Sequence, residues 1–457
     1  MKSLTRAAGI VLSVVSVLII SGCGGSSSPR KPPPHLSTWT WVSGAKAIDQ
    51  AGVYGTQGTT SASNMPGSRQ FAVSWRDSSG HFWLFGGNGF DSTGAGTQGD
   101  LNDLWKFDGT NWTWVSGSDL INQPGVFGTK GVASPSNVPG ARVYAISWID
   151  KSNNLWLFGG AQTNDLWKFD GTNWTWVSGS NLTLQAGVYG TKGVASPANA
   201  PGERAASVSW IDSSGNLWLF GGIGSDSTGA QGGLNDLWKF DGTNWTWVSG
   251  SNVITQSGVY GTKGTSSPSN VPGTRYQAVS WIDKSGNLLL LAGTGRDSTG
   301  AQGNLNDLWK FDGTNWTWVS GSNVISQTGG YGTKGTPSSS NVPGARNSAV
   351  SWADNSGNLW LFGGFGNDST GTLSLLNDLW KFDGTNWTWM GGSQVGNGIG
   401  SYGTLGTPSA SNLPTSRVGA VSWIDASGNL WFFGGLGKDP TDANSSGNLN
   451  DLWRFTP

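Results

Sequence analysis

Arginine is the residue type whose spacing most suggests ligand chemistry in this chain. One arginine recurs in each of six similar segments, and the six are Arg69, Arg142, Arg204, Arg275, Arg346 and Arg417. A guanidinium group binds a carboxylate through two parallel hydrogen bonds, so six of them could hold an anionic ligand such as an acidic sugar. An aspartate recurs with each arginine: Asp103, Asp165, Asp236, Asp307, Asp378 and Asp451. Because both sets occur once per copy, internal ion pairs explain them equally well, and we favour that structural role.

An aromatic residue also recurs, always 13 residues after the second Trp of a Trp-Thr-Trp triplet. These residues are Tyr54, Phe127, Tyr189, Tyr260, Tyr331 and Tyr402. Aromatic rings can stack on the apolar faces of sugars, so this set is a second group of candidate ligand contacts. All 29 Trp of the chain lie in the repeated pattern, where core packing explains them.

Residue types that carry catalysis are sparse. The chain has one Cys (Cys23), two His (His35 and His81) and one Glu (Glu203). No cluster with metal-ligand spacing, no nucleophile–base pair and no phosphate-binding loop occurs in the sequence, so it predicts a protein that is not an enzyme and needs no cofactor or metal. An acid–base pair among the scattered carboxylates stays open.

Two further repeated features have simpler interpretations. Asp-Ser-Thr-Gly recurs at Asp91, Asp226, Asp297 and Asp368. Calcium needs several oxygen ligands from one loop, so one Asp per loop favours an Asx turn instead. Four lysines follow the loop aromatics, and we expect them to be solvated: Lys130, Lys192, Lys263 and Lys334.

The N-terminus has the order of a secretory signal. Lys2 and Arg6 precede an apolar run, 7–20, that is shorter than the roughly 20 residues of a membrane-spanning helix. The run ends in Ile-Ser-Gly-Cys, which resembles a bacterial lipobox, in which Cys23 is lipidated. The sequence thus predicts a lipoprotein signal peptide at 1–22 and a Gly/Ser/Pro tether at 23–37. Because residue 24 is Gly rather than Asp, an exported protein anchored by lipid at the outer membrane or cell surface is favoured.

Composition narrows the class of partner. Charged residues are only 12% of the chain, and 26 Lys and Arg against 27 Asp and Glu give a net charge of -1. A chain without a basic field is a poor ligand for phosphate backbones, which argues against nucleic acid. We therefore expect a protein or glycan partner, and contact with the membrane only through the lipid.

The elements that must position these residues follow from the repeat. Each copy contains four short strand patterns, which we call A, B, C and D from the first to the last, joined by turn-forming residues. The chain starts with a lone D strand at 38–43 and ends with a C strand, so pairing these two completes six four-stranded antiparallel units. Such closure removes exposed sheet edges. The sequence therefore predicts an all-β, six-bladed β-propeller over 38–457, closed by its N-terminal strand.

The copies resemble the kelch repeat, in which an apolar strand ends in Gly-Gly and an aromatic and a Trp follow. In the third copy these residues are Gly221, Gly222, Trp238 and Trp245. The spacing departs from that family, because the copies recur mostly every 71 residues rather than about 50. The resemblance implies a kelch-type propeller, a fold shared by enzymes, adhesion modules and scaffolds. The chain lacks the His ligands and the Cys–Tyr pair that copper-radical galactose oxidase requires.

The extra length of each copy falls on one face. The D–A connections have a constant length and the B–C connections vary, from 3 residues in the second copy to 14. The short connection of the second copy either leaves a groove for a ligand or is a deletion without functional effect. We predict that this built-up face binds the partner and that the six arginines ring the channel mouth there. The alternative is a carbohydrate-active enzyme similar to kelch-type sugar epimerases that uses this arginine ring.

Overall fold

The computed structural model describes residues 37–94, 96–160 and 162–457, and every regular element among them is a β-strand. Strand β1 (Thr38–Ser43) comes first. The first copy then forms β2 (Arg69–Gln70), β3 (Val73–Arg76), β4 (Phe82–Gly89), β5 (Gly99–Phe107) and β6 (Trp112–Ser116). The second forms β7 (Ile146–Ile149), β8 (Leu155–Phe158), β9 (Leu166–Phe169) and β10 (Trp174–Ser178). The third forms β11 (Arg204–Ala205), β12 (Val208–Ile211), β13 (Leu217–Ser225), β14 (Gln231–Phe240) and β15 (Trp245–Ser249).

The remaining copies follow the same order. The fourth forms β16 (Arg275–Tyr276), β17 (Val279–Ile282), β18 (Leu288–Leu291), β19 (Thr294–Arg296), β20 (Gln302–Asn304), β21 (Leu308–Phe311) and β22 (Trp316–Ser320). The fifth forms β23 (Arg346–Asn347), β24 (Val350–Ala353), β25 (Leu359–Asn367), β26 (Leu373–Phe382) and β27 (Trp387–Gly391). The sixth forms β28 (Arg417–Val418), β29 (Val421–Ile424), β30 (Leu430–Asp439) and β31 (Asp442–Thr456). In these ranges no helix is long and apolar enough to cross a membrane.

Each copy is an antiparallel meander in the predicted order A, B, C, D. In the third copy, β12 pairs with β13, β13 with β14 and β14 with β15. The predicted closure also forms, because β1 pairs with β31 from Thr38 opposite Thr456 to Ser43 opposite Leu452. The all-β propeller class is confirmed.

The innermost strands form a closed ring around a central channel. They contact one another in the order β3, β7, β12, β17, β24 and β29, and β29 returns to β3. Serine hydroxyl groups link several of these strands; Ser147 Oγ, for example, donates to Ser74 O at 3.2 Å, and Ser209 Oγ donates to Ser147 O at 3.1 Å. By hydrogen bonding the sheets number seven, because the fourth copy is split in two near Ala292.

Tryptophan fills the space between neighbouring blades, as the sequence predicts. Trp238 on strand C is fully buried, and Trp218 and Trp245 are less than a tenth exposed. Trp238, Trp245 and Phe240 of the third copy lie in one apolar cluster with Trp148 of the second. The repeated aromatic register is therefore the core that joins the blades.

The long D–A connections are ordered and cover sheet edges. Each one runs along the outer strand D of the blade that it is about to enter: Ser196 pairs with Trp245, and Gly193 N donates to Trp247 O at 2.7 Å. A covered outer strand cannot recruit another chain by edge pairing. The excursions therefore protect the rim of the propeller.

The B–C connections are extensions of the blades in most copies. Strands β13 and β14 continue past the Gly-Gly bulge as a hairpin, pairing out to Ser225 and Gln231. The second copy lacks this extension, because β8 ends at Phe158 and β9 begins at Leu166. Beside that gap, Leu184 N donates to Gln162 O at 3.1 Å, and the Leu184 side chain is 54% exposed. Whether the gap is a groove for a ligand stays a prediction.

Candidate binding site at the channel mouth

The six candidate arginines are buried in ion pairs with the six aspartates. Arg204 Nη1 and Nη2 donate to the two oxygens of Asp236, each at 2.8 Å, and the side chains are 1% and 0% exposed. The other five pairs are Arg69–Asp103, Arg142–Asp165, Arg275–Asp307, Arg346–Asp378 and Arg417–Asp451. Of the two roles that the sequence offered for the arginines, the internal pair is the one that forms.

Each guanidinium group also holds the backbone around it. Arg204 Nε donates to Gly202 O at 3.1 Å, and Nη1 donates to Gly221 O at 3.0 Å. Burial alone would lower the pKa of Arg204, but the charge of Asp236 and its hydrogen bonds hold that pKa above its ordinary value. These groups are therefore neutralised, in the structural role that the sequence favours, and have almost no surface for an anionic ligand.

The candidate tyrosines join the same buried units. Tyr189 Oη donates to Asp236 Oδ2 at 2.7 Å, and the ring lies 4.8 Å from the ring of Trp238. Burial, reinforced by the charge of Asp236, raises the pKa of Tyr189 well above its ordinary value. The same bond is made by four other tyrosines: Tyr54, Tyr260, Tyr331 and Tyr402. All five tyrosines are about 5% exposed, so they brace the D–A excursions and are not free to stack on a sugar.

Phe127 is the exception in this set, because it has no hydroxyl group. It packs against Trp167 at 5.0 Å, as the tyrosines do on their own strand C. A residue of the shortened B–C connection bonds to the aspartate instead: Thr163 Oγ1 donates to Asp165 Oδ1 at 2.7 Å. Together with Arg142, this hydroxyl and Trp167 lower the pKa of Asp165, although burial acts in the opposite direction.

The remaining candidates are also structural. Asp226 Oδ1 accepts from Thr228 N at 2.8 Å, the predicted Asx turn, and Oδ2 accepts from Ile254 N. Glu203 is 2% exposed and accepts a hydrogen bond from Ser225. No group of three His, Cys, Asp or Glu with a metal-binding arrangement occurs among residues 37–94, 96–160 and 162–457. Cys23, the signal segment and nearly all of the tether lie outside these ranges.

The repeated lysines are exposed, as expected for solvated positions, and three of them also lie over tryptophan rings. Lys192 Nζ lies 4.3 Å from the centre of the Trp247 ring and donates to Gly250 O at 2.8 Å. Lys130 and Lys263 do the same over Trp176 and Trp318, each at 4.2 Å. These cation–π contacts cover the exposed side of the second Trp of strand D.

The channel mouth on the built-up face is formed by one residue from each copy. The six residues are Phe71, Tyr144, Ala206, Gln277, Ser348 and Gly419. Their backbones make a closed ring, in which each N–H donates to the carbonyl oxygen of the preceding copy at 2.8 to 3.1 Å. All six have φ between 51° and 68°, a left-handed conformation that costs a residue with a side chain about 1–2 kcal/mol. The same conformation recurs once per copy in the D–A excursions, at Asp49, Asn122, Leu184, Thr255, Ser326 and Asn397, so it is a property of the repeat.

The side chains of this ring differ in every copy, although the surrounding sequence repeats. All six copies have Arg before the ring residue and a small residue, Val or Ile, Ser and Trp after it. Between these fixed residues, two positions change: Gln-Phe, Val-Tyr, Ala-Ala, Tyr-Gln, Asn-Ser and Val-Gly. Blade packing explains the residues that repeat in every copy. It does not determine the two changing positions, which are therefore free to serve a function other than folding.

The ring side chains are arranged around a cavity of about 190 Å³. The rings of Phe71 and Tyr144 stack with their centres 4.1 Å apart, and Gln277 Nε2 donates to Tyr144 Oη at 3.1 Å. Phe71 also lies over Gly419, where any larger residue would collide with it. The large side chains thus occupy one side of the mouth, and small residues leave space on the other.

Sequence reasoning missed this ring, although the sequence contains a signal for it. Searching for repeated residues finds what packing requires, which is why it led to the arginines and tyrosines. Searching for positions that differ between copies finds Phe71 and its equivalents. Their convergence on one mouth depends on the ring closure.

The chain was compared with known proteins at the levels of sequence and structure. No protein-family model and no curated protein sequence matches it. Solved structures similar to it include YjhT, with 15% identity, a TM-score of 0.48 and coverage of 85% of this chain and 95% of that one. A fungal alcohol oxidase of the AA5 family in complex with copper has 14% identity, a TM-score of 0.45 and coverage of 89% and 77%.

A third similar structure is a protein of unknown function from Dyadobacter fermentans DSM 18053. Its identity is 8%, its TM-score is 0.45, and the match covers 90% of this chain and 99% of that one. The repeated four-stranded sheets themselves fit a kelch-like propeller.

Proposed function

We propose that this protein is a recognition propeller of the bacterial envelope, anchored by a lipid on Cys23, which binds a protein or glycan on its built-up face. The observation that supports this proposal is the channel-mouth ring. Its six residues differ from copy to copy, although the residues that follow them in each copy are nearly the same. A purely structural repeat has no need of six different side chains around one mouth.

We further propose that recognition occurs without catalysis. The rival function, a sugar-epimerase-like enzyme, uses the arginine ring, and each of those guanidinium groups is buried against an aspartate. Glu203, the one Glu of the chain, is buried as well. The residues on which the enzyme hypothesis was based are therefore buried.

A glycan array probed with the full-length chain tests recognition. Saturable binding is expected, without conversion of the bound sugar over a long incubation followed by NMR. Turnover of a bound sugar would overturn the non-enzymatic part of the proposal. Absence of binding to both the array and a panel of purified envelope proteins would overturn recognition itself.

The lipid anchor has an independent test. The full-length chain expressed in a bacterium should incorporate labelled palmitate and sediment with membranes. The variant Cys23→Ser should lose the label and the membrane association. A membrane-bound, unlabelled parent chain would contradict the lipid anchor while leaving the recognition site untouched.

A further inference from the structure

Every side chain that lines the channel-mouth cavity is uncharged. Besides the six ring residues, the lining consists of five alanines and Ser207. The nearest guanidinium groups along the chain are neutralised in buried pairs, as in Arg204–Asp236. An ionised ligand in this cavity would lose hydration without gaining a partner charge, which is costly. The cavity therefore favours a neutral ligand.

The lining is nevertheless polar at one point. Gln277 uses its Nε2 for Tyr144, which leaves its side-chain oxygen to accept a hydrogen bond. Ser348 Oγ also has no partner among the described residues, but it is buried and offers no surface to the cavity. A hydrocarbon in the cavity would leave the Gln277 oxygen unpaired, whereas a ligand with a hydroxyl or amide group would pair it.

An aromatic stack forms the other side of the cavity. Phe71 and Tyr144 stack with their planes inclined by 29°, and Phe71 also lies over Gly419. Phe71 is therefore enclosed between two neighbours, and Tyr144 is the ring of the stack that a ligand can lie against. The cavity of about 190 Å³ opens into the channel, because its alanines and Ser207 also line a second cavity of about 270 Å³. The mouth alone is below the roughly 300–1,000 Å³ of sites that enclose a whole drug-sized ligand, so a ligand would enter it by one end.

We propose that the channel mouth binds the terminal unit of a neutral glycan, with one face of the sugar ring against Tyr144, which Phe71 supports from behind. A hydroxyl group at the edge of the sugar pairs with the side-chain oxygen of Gln277. This proposal rests on the recognition function proposed above and specifies its ligand. It also replaces the acidic sugar that the arginine pattern suggested.

The test is a titration of the full-length chain with single sugars, observed by saturation-transfer NMR and calorimetry. The neutral probes are the methyl glycosides of glucose, galactose and N-acetylglucosamine. The acidic probes are glucuronate and N-acetylneuraminate. The chain is kept in a detergent without a sugar headgroup, since such a headgroup would compete for the site. We expect saturable binding of at least one neutral probe and none of the acidic probes.

Variants locate the site. Phe71→Ala and Tyr144→Ala should each weaken the neutral probe by roughly tenfold, or about 1.4 kcal/mol. Gln277→Met should weaken it less, and its small change in volume keeps the comparison valid if an aromatic variant folds poorly. Lys284→Ala, in an exposed turn at the opposite end of the blade, is the control and should bind as the parent chain does. Thermal melting of each variant separates loss of binding from loss of fold.

The outcomes distinguish this proposal from the broader one. If an acidic sugar or a peptide binds, and Phe71→Ala weakens that binding, the neutral ligand class is overturned but recognition at the mouth is not. Equal affinity of Phe71→Ala, Tyr144→Ala and the parent chain for a neutral probe would overturn the location. Turnover of a neutral probe would overturn the non-enzymatic function but not the ligand class. Failure of every probe on the parent chain would overturn the sugar proposal.

Discussion

At the scale of single residues, the Arg204–Asp236 pair explains why a repeated charge need not be a binding site. The pair is nearly inaccessible. Asp236 accepts hydrogen bonds from Tyr189 and Trp238, and Arg204 donates one to the Gly221 carbonyl group. It thereby joins the D–A excursion, strand C and the Gly-Gly bulge of one blade. A buried pair of this kind fixes geometry more than it adds stability.

Breaking this pair should be more harmful than replacing it. Asp236→Ala leaves the buried charge of Arg204 without compensation, so the free energy of unfolding should fall by about 3–5 kcal/mol. The double variant Arg204→Met, Asp236→Leu should recover much of that loss. Urea denaturation followed by tryptophan fluorescence measures both. A single variant as stable as the parent chain would contradict the structural role.

At the scale of elements, the Gly-Gly bulge ties neighbouring blades together. Gly160 N donates to Arg204 O of the next copy at 2.9 Å, while Gly159 O accepts from Arg142 of its own blade at 2.9 Å. In the fourth copy Ala292 replaces the first glycine and keeps a φ of 61°. The sheet of that copy is the one that splits at this point.

Restoring the glycine there should stabilise the protein. Ala292→Gly removes the left-handed cost of about 1–2 kcal/mol and adds the backbone entropy of glycine, for a net gain of roughly 0.5–1 kcal/mol. The matched reverse change, Gly221→Ala, should destabilise, because a Cβ there would lie 2.7 Å from Arg275 O. Melting temperatures of the two variants test the pair. Shifts of the same sign in both would contradict this explanation.

The fold could be predicted from the sequence because its determinants are local and repeated. Alternating Trp and Leu on strand B, the Asp-Gly turn before strand D, and the unpaired strand at Trp39 together define the blades and their closure. The role of Arg204 and Tyr189 could not be assigned in the same way. Their exposure depends on how the D–A excursion crosses the next blade, and turn chemistry does not determine that path.

The candidate site required the whole ring. Phe71 and Gly419 are far apart in sequence, yet they are neighbours in the ring, where the Phe71 side chain lies over Gly419. Only closure between β1 and β31 brings them together. The sequence also did not show how the second Trp of strand D is covered, because Lys192 reaches the ring of Trp247 from an excursion 55 residues earlier.

At the scale of the whole molecule, stability should be flat across neutral pH. Burial opposes ionisation of Asp150 and Asp212, but indole and amide donors outweigh it and lower both pKa values. A lowered carboxyl pKa stabilises the fold above the unfolded value of about 4, and this contribution is lost as pH falls through the lower folded value. Burial raises the pKa of Tyr260, whose contribution is complete below about pH 10 and is lost at higher pH.

The melting temperature should therefore be constant between about pH 5 and 9, with a decrease on each side. Differential scanning calorimetry across that range measures it. The alkaline decrease should be smaller when Tyr260→Phe removes one of the buried phenols. A transition centred between pH 6 and 7 would contradict this expectation.

The central claim is that the channel mouth, where the six copies differ, is the place of recognition. Its most direct test is reversible blockage of that mouth: Gln277→Cys is labelled with a bulky disulfide reagent, and the affinity for the best ligand is measured before and after reduction. The parent chain and Lys284→Cys at the opposite end receive the same treatment. Binding should be lost in labelled Gln277→Cys, return on reduction, and persist in both controls. Unchanged affinity of labelled Gln277→Cys would contradict the claim.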